Sequence, residues 1–386
     1  MRSLANILLY LLIVAYYFNS DFFERTFFIN ELLSLISIPF FILFLIKERT
    51  VQRSNFHLYV FWFILICLAA AVLSIPVKTN WYYYARNTVI LYSAFTFFLG
   101  YYFFPTFHKI SKGLLILFRL YVVSGLLYFK GFLARYSGPI LFPLAFYKRG
   151  FLPLALLTVL VLIHGVLYDA LSILILIPIL IGIVILPNYR SFQWSFFLTI
   201  AGFIAFYIVF QDNIVLYKEG GYRYFGNVTK VYASNPIFAL DHNTSWRIIL
   251  WYRFIVERFP ENLLGVGFGT PLLTYKPEVQ TASMVIDEVH AHVSGAHNSF
   301  ITLFVRLGIL GVTPLLLICS RAFRDYYKLR AYPALNQYQP YYIIWIFIFA
   351  IGLFNLSLES PLRASVFWIC TGFLARIHSI AFERKK

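Results

Sequence analysis

His57-Leu-Tyr-Val-Phe-Trp-Phe-Ile-Leu-Ile-Cys-Leu-Ala-Ala-Ala-Val-Leu-Ser-Ile-Pro76 contains no Asp, Glu, Lys or Arg. A helix rises about 1.5 Å per residue, so a run of roughly 20 apolar residues crosses the ~30 Å hydrocarbon core of a bilayer. Comparable runs recur at 4–19, 27–46, 82–104, 113–129, 137–147, 151–167, 170–187, 194–210, 298–319, 341–358 and 364–382. The chain is 61% hydrophobic and 12% charged, against roughly 25% charged in soluble domains. This excludes a soluble domain with a single anchor and predicts an all-α polytopic membrane protein of about 12 transmembrane helices. The run 137–147 is short and contains proline, which suits a re-entrant segment or one packed inside the bundle.

Three regions follow from these runs. Residues 1–210 form an N-terminal bundle of about nine spans, 211–297 a large polar loop, and 298–386 the remaining spans and a tail. Lys and Arg collect in alternate loops: Lys47, Arg49 and Arg53; Lys109 and Lys112; Lys148 and Arg149; Arg190; Arg321, Arg324, Lys328 and Arg330; and Arg384, Lys385 and Lys386. Positive loops stay cytoplasmic, so both termini are expected inside and 211–297 outside. The net charge of +16 is thereby explained by topology and points to no nucleic-acid partner. The basic, apolar N-terminus lacks a small-residue cleavage site and reads as a retained first helix. Cys67, Cys319 and Cys370 all fall in spans, without metal-ligand spacing, so neither a disulfide nor a zinc site is expected.

Within the loop, Lys218-Glu-Gly-Gly-Tyr-Arg-Tyr-Phe-Gly-Asn-Val-Thr229 reads as irregular or hairpin structure. Asp241-His-Asn-Thr-Ser245 supplies capping residues ahead of Trp246-Arg-Ile-Ile-Leu-Trp-Tyr-Arg-Phe-Ile-Val-Glu-Arg258. There Ile248, Trp251, Phe254 and Ile255 recur at helical spacing, which predicts an amphipathic helix along the membrane surface. Leu264-Gly-Val-Gly-Phe-Gly-Thr-Pro271 carries glycines at alternate positions and implies a close-approaching backbone. It is not a dinucleotide fingerprint, because the spacing and the flanking elements are wrong.

The histidines and arginines carry whatever chemistry the loop performs. His290 and His292 form a His-x-His pair with no Cys or carboxylate at a familiar spacing to complete a tetrahedral set, so a metal is the weaker reading. His297 stands where the loop meets the next span. It suits a helix start, and an imidazole, which titrates near neutrality, also suits a general base. Arg253 and Arg258 read as solvated surface residues. Arg247, in the first turn of the amphipathic helix, can point inward. Arg86 and Arg135 lie at outer span ends, where several guanidinium groups would suit a phosphate or diphosphate. Arg119, nearer the inner side, and Arg306, more than two turns from the outer end, read as structural.

The order Ser245-Trp-Arg-Ile-Ile-Leu-Trp251, Pro260, Gly265-Val-Gly-Phe-Gly269 and His297-Asn-Ser-Phe-Ile-Thr-Leu-Phe-Val-Arg-Leu-Gly-Ile-Leu-Gly311 resembles the O-antigen ligase and O-antigen polymerase superfamily. Arg135-Tyr-Ser-Gly-Pro139 is similar to that family's upstream Arg-x-x-Gly segment. The resemblance covers roughly 245–315. It implies a GT-C-like membrane glycosyltransferase at the outer face of the bacterial inner membrane, acting on an undecaprenyl-diphosphate-linked oligosaccharide, with 211–297 periplasmic. It also implies inversion at the anomeric carbon without cofactor or metal. The acceptor would be a glycan or lipid A core, with chain-length regulator and flippase proteins as companions. His297 matches the family's histidine and Arg247 its loop arginine; Arg135, Arg223 and Arg86 are further diphosphate candidates.

One departure bears on the choice of branch. Ligases carry an arginine in a span before the long loop, whereas the comparable stretch here reads Val166-Leu-Tyr-Asp-Ala-Leu-Ser172. Asp169 stands where a cation is sought; it would bind acceptor hydroxyls, pair with an arginine, or serve as a turn residue. The expected activity is therefore that of an O-antigen or exopolysaccharide polymerase. A ligase is the alternative, and a lipid-linked oligosaccharide flippase or transporter a more distant one. Few charges occur mid-span, which disfavours transport.

Overall fold

The computed structural model describes residues 34–47, 55–78, 81–113, 143, 155–162, 176–210, 214–218, 221–224, 238–240, 247, 250–251, 254–256, 259–272, 296–353 and 358–383. The described residues are predominantly helical, and among them four helices are long and apolar enough to cross a membrane: Asn55–Leu73, Trp81–Lys109, Ser299–Arg330 and Arg363–Phe382. Their positions match expected spans, and the protein is a membrane protein by this measure. The expected spans 4–19, 113–129 and 137–147 lie outside the described residues, apart from Gly113 and Pro143.

The helices used below are α1 (Ile38–Lys47), α2 (Asn55–Leu73), α3 (Trp81–Asn87), α4 (Val89–Ala94), α5 (Thr96–Gly113), α6 (Leu176–Ile185), α7 (Tyr189–Phe210), α8 (Ser299–Arg330), α9 (Gln339–Gly352) and α10 (Pro361–His378). Helices α5 and α10 pack along each other, as do α2 and α8. The α5–α10 contact depends on small residues: Gly100 lies against the backbone of Ile369, and Gly372 against the backbone of Phe97 and Tyr101. Without a hydrophobic force between helices in lipid, such close backbone approach is the main source of association. Aromatic rings fill the remaining space, with Trp345, Trp368, Phe63, Phe97 and Phe98 fully buried.

The end of α8 far from His297 holds a buried polar cluster. Asp325 is fully buried and accepts from Arg321 Nε at 3.2 Å, while His378 Nδ1 lies 2.8 Å from the same oxygen. Pairing of this kind makes a buried carboxylate tolerable. The basic residues Arg321 to Arg330, expected in a loop after a span ending at 319, instead continue the helix. Lys328 and Arg330 occupy its last turn, where cations suit the helix dipole. Arg330 Nη1 also donates to the carbonyls of Ile183 and Leu186 at 2.7 Å, satisfying carbonyls that the end of α6 leaves open.

Residues 214–240 contain a three-stranded sheet, β1 (Ile214–Lys218), β2 (Gly221–Tyr224) and β3 (Phe238–Leu240), in the order β2-β1-β3. The β1–β2 pair is antiparallel, with Lys218 opposite Gly221. Of the irregular or hairpin structure expected over 218–229, the described part up to Tyr224 is a hairpin strand, and β3 adds to β1 in parallel.

Candidate functional site

Helix α8 begins immediately after His297. Asn298 is its N-cap, and its side-chain oxygen accepts from the N–H groups of Phe300 and Ile301 at 3.0 and 3.1 Å. These are donors that the first helical turn cannot otherwise satisfy. His297, half-buried, has φ of 50° and is the one non-glycine residue with positive φ among those described. A left-handed histidine is uncommon, and such conformations persist only where the surroundings over-determine them.

Those surroundings are on both sides of His297. The Ala296 N–H donates to Thr302 Oγ1 at 2.8 Å, and the Thr302 hydroxyl donates to the Asn298 carbonyl at 3.1 Å. Trp251 Nε1 donates to the Ala296 carbonyl at 2.7 Å. Ser299 Oγ donates to Glu359 Oε2 at 2.6 Å and accepts from the Leu358 N–H at 3.0 Å. The turn is thereby held from the loop and from the segment before α10 at once.

The described residues of 247–256 are helical. Leu250 and Phe254 are buried in a small core with Leu272, Ala296 and Val305, and Trp251 packs against it. The amphipathic helix expected from the spacing thus docks on the N-terminal half of α8. Arg247, half-buried, lies one turn before Trp251. The structure so brings the Arg247 helix to the residue adjoining His297.

The glycine-rich loop packs beneath this junction. Helix α8 breaks at Gly308 (φ 67°, ψ −166°), and a break frees carbonyls one turn earlier. Two of these are taken up: the Val266 N–H donates to the Val305 carbonyl and the Gly267 N–H to the Arg306 carbonyl, both at 2.9 Å. Gly265 (φ 93°) lies against Arg306 to Gly308, and Gly308 against Leu263 and Leu264, so closely that a Cβ on either would collide with backbone. The expected close-approaching backbone is present, and its partner is the broken helix.

Arg306, read as structural from its place in a span, is 1% exposed. Its Nη1 donates to the Gly267 carbonyl at 3.1 Å, its Nε is buried without a hydrogen-bond partner among the described residues, and the charge of Glu359 acts on it. Glu359 had no role in the sequence reading. The signal for Arg306 was there, since an ionisable residue within a span is costly and seldom idle. Its link to Glu359, 53 positions away, had no local signal.

The remaining candidates divide. Arg86 is exposed on the last turn of α3, beside Asn87, which is buried and donates to the Phe268 carbonyl at 3.0 Å. The end of α3 is thereby tied to the glycine-rich loop. Arg223 lies on β2 opposite Leu216. Arg135 and Asp169 lie outside the described residues, as do His290 and His292. No family model, no curated protein and no solved structure matches the chain.

Proposed function

We propose that this chain is a polysaccharide polymerase, an inverting and metal-independent glycosyltransferase that joins undecaprenyl-diphosphate-linked repeat units at the outer face of the bacterial inner membrane. In this reading about 12 spans form a GT-C-like bundle and 211–297 is periplasmic. The observation that carries it is the Trp251 to Ala296 hydrogen bond, because it joins the helix of Arg247 to the turn of His297.

An acceptor hydroxyl attacks the anomeric carbon of the donor sugar and a glycosidic C–O bond forms. The C–O bond to the diphosphate breaks, and its electron pair leaves with undecaprenyl diphosphate. His297 takes the hydroxyl proton as the bond forms, which makes the oxygen a better nucleophile. Arg247 stabilises the charge that grows on the diphosphate, with Arg135, Arg223 and Arg86 as further cations and Asp169 holding acceptor hydroxyls. Asp169, where ligases carry an arginine, favours polymerase over ligase.

Purified protein in lipid, given a lipid-diphosphate oligosaccharide alone, tests this reading. A product ladder spaced by whole repeat units is expected. Transfer only after lipid A core is added would assign a ligase, and movement of the lipid across liposomes without new bonds would assign a flippase.

A further inference from the structure

The apolar surface of α8 has a sharp start. No residue from Ser299 to Gly308 is exposed, whereas Ile309 and Leu310 are 53% and 61% exposed and Leu316 and Leu317 continue their stripe. Exposed leucine and isoleucine in a row on a span are its lipid-facing side, so contact with lipid begins at the helix break. The turn that docks on this break has an exposed apolar surface of its own. Phe259 is 63% and Leu264 82% exposed. Leu264 lies on Gly308 itself, beside Ile309. On its other flank the loop packs against Ser74, next to Val72 and Leu73, which are also exposed.

Apolar side chains alone would not let an irregular turn enter a membrane, because each unsatisfied backbone group is costly there. This turn leaves none of six consecutive N–H groups open. Leu263 donates to the Pro260 carbonyl, Leu264 and Gly265 to the Glu261 carbonyl, Val266 to Val305 and Gly267 to Arg306. Phe268 donates to Ser74 Oγ at 3.1 Å. Asn262, fully buried, donates its side-chain amide to the Ile255 carbonyl at 2.7 Å, closing the end of the helix above. Glu261 is the exposed charge of the turn.

We propose that the turn 259–264 is inserted into the bilayer leaflet on the His297 side, with Phe259 and Leu264 among the acyl chains. The glycine-rich loop and Arg306 are then set at the hydrocarbon boundary, and the outer segment is anchored in the membrane as well as tethered at its two ends. This holds whatever reaction the protein performs.

The test uses the full chain in lipid nanodiscs, with a nitroxide attached at Phe259→Cys or Leu264→Cys, both exposed positions. The native cysteines are buried. Collision with oxygen is compared with collision with a water-soluble nickel chelate. Ile309→Cys serves as the lipid reference and Asn336→Cys, exposed in the 3-10 turn Pro333–Tyr338, as the aqueous reference. The expected oxygen-to-nickel ratio at 259 and 264 equals that at 309 and exceeds that at 336 several-fold. A ratio equal to that at 336 overturns the proposal, and so does low collision with both reagents, which would mean that protein covers the turn.

Discussion

Trp251 donates its indole N–H to the carbonyl of Ala296 at 2.7 Å, and Ala296 directly precedes the left-handed His297. In Trp251→Phe the ring still fills the small core while the hydrogen bond is lost, at a cost of about 1 kcal/mol. The expected outcome is a small fall in thermal midpoint with a larger fall in transfer rate. Hydrogen exchange of the 296–302 amides should rise locally, and unchanged exchange there would separate Trp251 from the His297 turn.

Gly308 and Gly265 meet backbone that cannot yield. Alanine at either is expected to cost at least 1–3 kcal/mol, from strain at positive φ alone. Gly202, in α7, has nothing near the place of a Cβ, and alanine there should be neutral or stabilising by about 0.5–1 kcal/mol. Thermal unfolding in one detergent compares all three. Equal effects at Gly202 and Gly308 would contradict the docking of the loop on the helix break.

Arg306 and Glu359 are buried and act on each other electrostatically. Removing one leaves the buried charge of the other less compensated, which destabilises. Arg306→Met and Glu359→Gln should each destabilise, and the double variant should be more stable than the sum of the single losses implies, by at least about 0.5 kcal/mol. Strict additivity in a double-mutant cycle would show that the two residues do not cooperate.

How far the chain could be read from its residues varied with the kind of signal. The four helices long and apolar enough to cross a membrane were legible because apolar run length is a local property, and the helix around Trp251 because apolar residues recur there at helical spacing, although Ile255 of that set is exposed and Leu250, outside it, is buried. The glycine spacing announced a close approach but not its partner, since the break at Gly308 is visible only once Leu264 lies against it. The length of α8 was misjudged because basic residues near a membrane mark a loop in most sequences, and here Arg321 instead pairs with buried Asp325. Glu359 was passed over because its partners, Ser299 and Arg306, are brought to it only by the fold.

The most direct measurement is the initial rate of glycan transfer by purified wild-type protein and by His297→Ala, at saturating lipid-diphosphate oligosaccharide. With His297 as general base, the variant should bind donor normally, keep its thermal midpoint and lose about 100- to 10,000-fold in rate. A folded His297→Ala protein with full transfer activity would contradict the assignment of His297 as the base.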